Sequence, residues 1–339
     1  MKKTLIAMAI LASSGAAMAQ SNVSLYGIVD MGLQSTNKSG DRVTGVDSGL
    51  QSGSRIGLKG TEDLGNGLKA NFVLESAIAA DTGTGLDGFN RQSWLGLSGG
   101  FGEVRVGHQY TPIRQALDAV DPFALGLAGS ITNEWGVGFG SEDGIQQRVS
   151  NSVSYQLPTL AEGLNVVGTY GFGEQEDSTS AGSLFSLGAS YKLNALNLQA
   201  AYENKNLDGT GFADGKRTSY LLGGTYDFGV AKAHASLGEV KNDFTGVGEE
   251  KVRNYMVGVS APVGAAGSVM ASYVVTQNRT FDDADSKQFA VGYQYDLSKR
   301  TNVYASYARN TNDADSVQRQ VWGDAKSANT YNVGLRHKF

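Results

Sequence analysis

From residue 22 to the C-terminus, apolar and polar side chains alternate in segments of about ten residues, and this alternation constrains the fold more than any other feature. In the first segment Val23, Leu25 and Val29 share one face, whereas Ser24 and Asp30 share the other. Similar segments are "GLKANFVLESAI", "SYLLGGTYDF", "AKAHASLGE" and "QFAVGYQYDL". A repeat of two residues is typical of β-strands. We count about sixteen such segments, each long enough for a tilted strand that crosses a membrane.

The connections between these segments differ systematically in length. Short turns such as "DLGNG", "DFGV" and "DLSKR" alternate with long polar loops such as "NKNLDGTGFADGKR" and "NTNDADSVQRQVWGDAKS". Outer-membrane barrels have tight turns on one rim and long loops on the other. A soluble β-sandwich or propeller must instead bury its apolar faces against another layer. The pattern therefore predicts an all-β fold, a transmembrane 16-stranded antiparallel β-barrel.

The N-terminus, "MKKTLIAMAILASSGAAMAQ", has the features of a secretory signal peptide. Lys2 and Lys3 precede an apolar run over residues 5–12, and the small residues Ala17 and Ala19 follow it. The apolar run is too short to span a membrane as a helix. We predict that residues 1–19 are the signal peptide and that residues 20–339 form the barrel.

Composition argues against several kinds of chemistry. The chain contains no cysteine, which excludes disulfides, zinc–thiolate sites and cysteine nucleophiles. Removal of the two lysines of the signal peptide changes the formal charge from −5 to −7, and such an acidic chain is not expected to bind nucleic acid. His108, His234 and His337 are not accompanied by a G-x-S-x-G or H-E-x-x-H motif. We predict no catalytic residue, no cofactor and no metal.

One segment, residues 107–140, breaks the two-residue repeat. It holds two of the four prolines, Pro112 and Pro122, and between them apolar residues recur at intervals of three and four, which predicts a short helix. These apolar residues are Ile113, Ala116, Leu117 and Val120. Non-strand backbone at membrane depth is stable only inside protein or a water-filled lumen, and a barrel of sixteen strands encloses an aqueous channel. We therefore predict that this segment folds into the lumen.

Several motifs spread along the chain are similar to those of one known family. They are "VSLYGIVDMGL", "SRIGLKGTEDLGNGLKANFVLE", "GFGEVRVGHQYTP", "NSVSYQLP", "SKRTNVYASY" and the terminal "VGLRHKF". On these motifs the chain resembles the trimeric general porins of Gram-negative outer membranes, in the branch best known from β-proteobacteria. The resemblance implies a passive diffusion channel for small hydrophilic solutes and ions.

The resemblance also implies where the channel is narrowest. In that family the third external loop folds into the barrel, which places the constriction loop at about residues 110–145. Basic residues of the wall face acidic residues of the loop. The wall side comprises Arg55, Arg91 and Arg148, with Lys59 and Glu75, and the loop side comprises Asp118, Asp121 and Glu134.

Two features oppose the anion preference that these arginines imply. The mature chain and its external loops are acidic, which favours cations. Relatives often carry arginine at the position of His108, and a neutral histidine there weakens the attraction of anions. The expected anion selectivity is therefore weak.

The resemblance further implies several partners. These are two further copies of the chain in a homotrimer, outer-membrane lipids and lipopolysaccharide, and the barrel assembly machinery, which would read the C-terminal Phe339. Two alternatives remain open at this stage. One is an outer-membrane adhesin or barrel enzyme, and the other is a soluble secreted β-protein.

Overall fold

Sixteen antiparallel wall strands close into one barrel in the computed structural model, which confirms the predicted fold. The structure describes residues 22–135, 147–176, 178, 180–207, 214–246, 248–316 and 325–339. The predicted signal peptide and residues 136–145 of the predicted constriction loop lie outside these ranges.

The wall strands follow one another along the chain in hairpins. The strands before the constriction loop are β1 Asn22–Lys38, β2 in two segments Asp41–Ser48 and Arg55–Gly65, β3 Leu68–Ala79, β4 Gln92–Gly99 and β5 Gly102–Tyr110. Those after it are β6 Arg148–Gln156, β7 Leu164–Gly171, β8 Leu184–Leu193, β9 Leu196–Leu207, β10 Gly215–Asp227, β11 Lys232–Phe244, β12 Gly248–Val263, β13 Gly267–Asn278, β14 Ser286–Asp296, β15 Thr301–Asn312 and β16 Ser327–Lys338. A two-residue strand, Thr84–Gly85, pairs with the end of β3.

The last strand pairs with the first, which closes the barrel. The register runs from Ile28 opposite Lys338 to Lys38 opposite Ala328. At the C-terminus the backbone groups of Gly27 and Phe339 exchange two hydrogen bonds, both 3.1 Å long. A closed sheet leaves no unpaired edge in the hydrocarbon, so this seam fits a wall surrounded by lipid.

The second wall strand is interrupted by an inward bend that the sequence did not predict. β1 pairs with the first segment of β2 through residues 31–38 and with the second segment through residues 22–28. Between the segments, the buried carboxylate of Asp30 accepts hydrogen bonds from the backbone N–H groups of Gln51, at 2.7 Å, and Ser52, at 2.5 Å. One aspartate therefore fixes the bend.

The outer face of the wall is apolar and the inner face is largely polar. Leu25 and Val257 on the outside are each 60% exposed, whereas Asn332 and Ser272 point inward. This arrangement is the reverse of a soluble protein and matches a barrel with its apolar face toward lipid. None of the described helices is long and apolar enough to span a membrane.

The two rims differ in the predicted way, with one exception on the short-turn rim and two on the long-loop rim. The short-turn rim carries one longer connection, residues 157–163, between β6 and β7. On the long-loop rim, residues 245–247 alone join β11 to β12, and Ser39 and Gly40 alone join β1 to β2. Ser39 and Gly40 have positive φ, of 52° and 115° respectively. Two-residue hairpin turns favour positive φ, because the backbone twist of such a turn matches the right-handed twist of the strands that it joins.

The constriction loop begins with the predicted helix, α1, Pro112–Val120. Thr111 caps it, because its side-chain oxygen accepts a hydrogen bond from the backbone N–H of Arg114, and Pro112 stands in the first turn, where no N–H is needed. The predicted apolar stripe of the helix is buried against the inner wall. A single 3₁₀ turn, Ile131–Asn133, follows it among the described residues of the loop.

Part of the inner wall beneath the loop is apolar, unlike most of the lumen. Leu221, Met256 and Val274 point inward, are at most 2% exposed and belong to one buried cluster with the apolar residues of α1, Ile131 and Trp135. Farther round the barrel, Ala290 and Tyr304 pack against Phe123, Leu127 and Ala128 of the loop. These wall residues depart from the polar-inward pattern because the loop, rather than water, covers them.

Glycines of the wall bring the loop backbone close to the strands. A Cβ atom added to Gly188 or Gly258 would lie 2.8 Å from a ring carbon of Pro112 or Pro122, respectively, and one added to Gly238 would overlap the indole of Trp135. Close packing leaves no room for these extra atoms. The loop therefore rests on a track of wall positions without side chains.

Candidate functional site

Arginines at the ends of alternate strands lie together on one side of the lumen, beside the constriction loop. Arg55 begins the second segment of β2, Arg91 immediately precedes β4, and Arg148 begins β6. The register places Arg148 directly opposite Tyr110, the last residue of β5. The three predicted wall arginines are thus brought to one stretch of the inner wall, at the foot of the constriction loop.

Glu75 on β3 joins two of these arginines. Its Oε1 lies 2.8 Å from Nε of Arg91 and 3.8 Å from Nη1 of Arg55. Its Oε2 accepts a hydrogen bond of 2.9 Å from the hydroxyl of Tyr26. The carboxylate side chain is only 3% exposed, so it serves to hold the arginines in place, since a buried charge is stable only when it is paired.

Tyr110 joins the arginines on its other side. Its hydroxyl accepts hydrogen bonds from Nη2 of Arg91, at 2.8 Å, and from Nη2 of Arg148, at 3.3 Å. The guanidinium of Arg148 also lies 4.8 Å from the ring centroid. The electron-rich ring and the hydroxyl oxygen both stabilise the nearby positive charges.

The loop itself contributes a fourth arginine, which the sequence reasoning missed. Arg114 lies on α1, with its guanidinium 4.1 Å from the centroid of the Tyr110 ring and 3.4 Å from Oδ2 of Asp118. The spacing of Arg114 and Asp118, four residues apart on the polar face of a predicted helix, was a usable signal for this pair. We define the arginine cluster as Arg55, Arg91, Arg114 and Arg148 around Tyr110.

Asp118 is the predicted loop acid that the structure brings to the arginine cluster. Its side chain is 41% exposed and pairs with Arg114. The cluster and its immediate partners therefore carry four guanidinium groups against the two carboxylates of Glu75 and Asp118. The positive charge exceeds the negative charge at this position.

The structure places Asp121 inside the loop and not beside the arginines. It is 4% exposed, and its carboxylate accepts hydrogen bonds from the backbone N–H groups of Phe123, Leu125 and Ile131. Burial raises the pKa of this carboxyl to about 6. Asp121 thus holds the loop in its folded shape.

The structure places Glu134 against the wall on the far side of the barrel. It is fully buried, and its carboxylate accepts hydrogen bonds from the hydroxyl of Ser286 and, at 2.6 Å, from Nδ2 of Asn310. Its backbone carbonyl accepts two more, from Asn254 at 2.8 Å and Thr276 at 3.0 Å. Burial raises the pKa of this carboxyl to about 7. Glu134 anchors the end of the described loop to strands β12 to β15.

Two further basic positions differ in their surroundings. Nζ of Lys59 lies 5.2 Å from the centroid of the Tyr26 ring. Lys59 is four residues after Arg55 on β2, closer to the short-turn rim. His108 contacts Oγ of Ser150 at 2.9 Å and the backbone oxygen of Asn90 at 3.2 Å. Lys59 is therefore outside the arginine cluster, and the wall beside the cluster carries His108 rather than another permanent charge.

Comparison with known proteins agrees with this architecture. A family model described as Gram-negative porin matches residues 4–315. The chain is 39% identical to outer membrane porin protein 32 of Delftia acidovorans, over the full length of both chains. The solved anion-selective porin from Comamonas acidovorans is similar, at 32% identity and a TM-score of 0.84, over 94% of this chain and 100% of that one. The trimer form of OmpT from Vibrio cholerae shares the fold, at 19% identity and a TM-score of 0.73, over 94% of this chain and 99% of that one.

Proposed function

The chain belongs to the Gram-negative porin family, and from this premise we propose that its arginine cluster is a filter that passes anions somewhat more readily than cations. The protein is a passive channel of the outer membrane. The observation that carries the proposal is the excess of guanidinium groups at the constriction, with Asp121 and Glu134 buried elsewhere. The relative from Comamonas acidovorans, described as anion-selective, supports it.

The arginines act on ions because they line a wet and narrow passage. Charges at a protein–water boundary act through a dielectric well below that of bulk water, and a passage comparable in width to the Debye length, about 8 Å, is only partly screened by salt. A permeating anion is therefore stabilised beside the cluster, and a cation is repelled. Because the rest of the chain is acidic, the preference is weak.

Reversal potentials in planar bilayers under a potassium chloride gradient test this proposal. We expect the wild type to pass more chloride than potassium and Arg148→Ala to pass relatively less chloride. Arg309→Ala is a matched control, because it removes the same charge from the outer face of β15, away from the lumen. An unchanged ratio in Arg148→Ala would remove this arginine from the filter.

We propose that the constriction loop sets the size limit of the channel. Residues 111–135 lie inside the lumen and pack against the inner wall. They therefore take up space that water and solutes would otherwise fill. Deletion of residues 117–135 should raise the largest sugar that enters liposomes in a swelling assay. Unchanged swelling rates would show that the loop does not limit passage.

We propose that the protein assembles as a homotrimer in contact with outer-membrane lipids and lipopolysaccharide. The trimer form of the Vibrio cholerae relative and the apolar outer face of the wall support this assembly. Molar mass by light scattering in detergent should correspond to three copies, and a single copy would contradict the proposal.

We also propose that the barrel assembly machinery recognises the terminal strand through Phe339, whose backbone completes the β1–β16 seam. Phe339→Ala should lower the amount of folded barrel in outer membranes. Refolding of the same variant into detergent micelles controls for its intrinsic stability.

We propose that the protein is not an enzyme. His108 and His234 each contact a serine hydroxyl, which is one half of a nucleophile arrangement. In both residues, however, the second ring nitrogen contacts a backbone carbonyl, of Asn90 and Val120 respectively, where a triad requires a carboxylate. In His234 this contact ties the end of α1 to the wall.

A further inference from the structure

We propose that the vestibule between the arginine cluster and the short-turn rim contains a second binding site, for small carboxylates with a short apolar body, centred on Lys59. The site is separate from the filter proposed above, and it does not require the filter to be selective. It rests on a cavity, on an uncompensated cation and on a lining that is half polar and half apolar.

The cavity lies on the inner side of strands β1 to β5. It has a volume of about 570 Å³ and is lined by Lys59, Asn71, Trp94, Ser98 and Glu103, among others. Strand register brings these positions together, because Asn71 lies opposite Gly96 and Ser98 lies opposite Glu103. Cavities of about 300–1,000 Å³ hold small organic molecules in other proteins.

The charge of the cavity favours an anion. The carboxylate of Glu103 is paired with Nη2 of Arg105 at 2.5 Å, so these two charges offset each other. The side chain of Lys59 is exposed, and within the described part of the chain no carboxylate lies within 4 Å of its amino group. Lys59 is therefore the charged group of this cavity that is left to bind a ligand.

The polar and apolar surfaces of the cavity are held in fixed positions. Nδ2 of Asn71 donates hydrogen bonds to Ser98, at 2.9 Å, and to Glu103, at 3.2 Å, which orders that side of the cavity. On the other side the indole of Trp94 is held by the guanidinium of Arg105, 4.7 Å from its ring. A carboxylate ligand would pair with Lys59 and place its hydrocarbon part against Trp94. Chloride would pair with Lys59 alone.

Tyr26 connects this site to the constriction. Its ring lies beneath Lys59 and its hydroxyl donates to Glu75, the residue that holds Arg55 and Arg91. An anion that passes the arginine cluster toward the short-turn rim therefore meets the vestibule next. A solute added on the short-turn side reaches Lys59 without passing the constriction, so binding should depend on the side of addition.

The test uses benzoate as the probe and the chloride current of the mature channel in planar bilayers as the readout. Benzoate is added to one chamber at a time. We expect it to reduce the chloride conductance, and at a lower concentration from the short-turn side than from the long-loop side. In Lys59→Gln the concentration for half-maximal reduction should rise about threefold or more, because an exposed charge pair is worth up to about a factor of five.

Lys69→Gln is the matched control. Lys69 is an exposed lysine on the lumen face of β3, two residues from Asn71, and it does not line the cavity. Equal changes in the two variants would mean that benzoate responds only to overall charge, and the proposal would be overturned. Absence of any reduction by benzoate in the wild type would overturn it as well.

The outcome is independent of the selectivity proposal. Reversal potentials measured on the same channels report the arginine filter. If Arg148→Ala leaves the permeability ratio unchanged while Lys59→Gln weakens the effect of benzoate, the vestibule site stands and the filter fails. If Lys59→Gln changes the reversal potential but not the effect of benzoate, Lys59 belongs to the general charge of the lumen and the vestibule site fails.

Discussion

The indole of Trp135 lies directly against the backbone of Gly238, at a position on β11 where any side chain would overlap the ring. Gly238→Val should therefore push the end of the described loop away from the wall. Overpacking typically costs about 1–3 kcal/mol, so we expect a lower melting temperature together with an altered single-channel conductance. Gly45→Val is the control, because a Cβ atom at Gly45 would meet nothing within 4 Å. Equal effects of the two substitutions would contradict this role of Gly238.

Arg114 should contribute to selectivity although it lies on the loop. Arg114→Gln removes the charge that stacks on Tyr110 and leaves Asp118 unpaired, so the ratio of chloride to potassium permeability should fall, by roughly twofold or more. Asp118→Asn removes the opposing charge and should raise the same ratio. Reversal potentials of both variants provide the measurement, and a shift of both in one direction would show that their charges do not act on permeating ions.

Glu75 should matter for both charge and stability. Glu75→Gln removes one negative charge from the wall, so the net charge beside the arginines becomes more positive and anion preference should increase. The same change leaves Arg91 without its buried partner, and removal of one member of a buried pair costs about 3–5 kcal/mol. Thermal unfolding in detergent and reversal potentials check the two effects separately. Unchanged stability would mean that Tyr110 alone is sufficient to hold the arginines.

The raised pKa of Glu134 predicts that stability depends on pH. In the folded protein this carboxyl has a pKa of about 7, and its ordinary value is 4.5. Between these values the folded state holds a proton that the unfolded chain releases, so the contribution of Glu134 is fully present below about pH 4.5 and is lost as the pH rises to 7. The loss is on the order of 3 kcal/mol.

Glu134→Gln provides the comparison, because glutamine stays neutral at every pH. The wild type should lose melting temperature relative to this variant between pH 5 and pH 7, and the difference should stay constant above that range. Parallel profiles of the two proteins would show that Glu134 is charged throughout.

The wall could be predicted from the sequence because its signal is local. Alternation along each strand depends on one face meeting lipid and the other meeting water, and every strand carries that pattern by itself. The helix of the constriction loop was predictable for the same reason, from the spacing of Ile113 and Leu117. The inward bend of β2 was not, because it depends on hydrogen bonds between Asp30 and residues more than twenty positions away.

The site was predictable only in part. The resemblance to the family indicated Arg55, Arg91 and Arg148, and strand register accounts for the positions of Arg55 and Arg148 on the inner wall. The surroundings of the loop acids do not, because whether an acid is buried depends on which distant side chains meet it. Glu134 accepts hydrogen bonds from Ser286 and Asn310, more than 150 residues later in the chain, and no local sequence pattern predicts these contacts.

The seating of the constriction loop divides the chain into two parts with different tasks. All four arginines of the cluster come from residues 55–148, whereas the strands that support α1, Trp135 and Glu134 come mainly from residues 184–312. The arginine cluster and the wall that supports the loop are thus specified by separate stretches of sequence. With the roles proposed above, a mutation beneath Trp135 should change how large a solute passes while Arg55, Arg91 and Arg148 stay in place on the wall, and a mutation of one of these wall arginines should change which ions pass while the loop keeps its support.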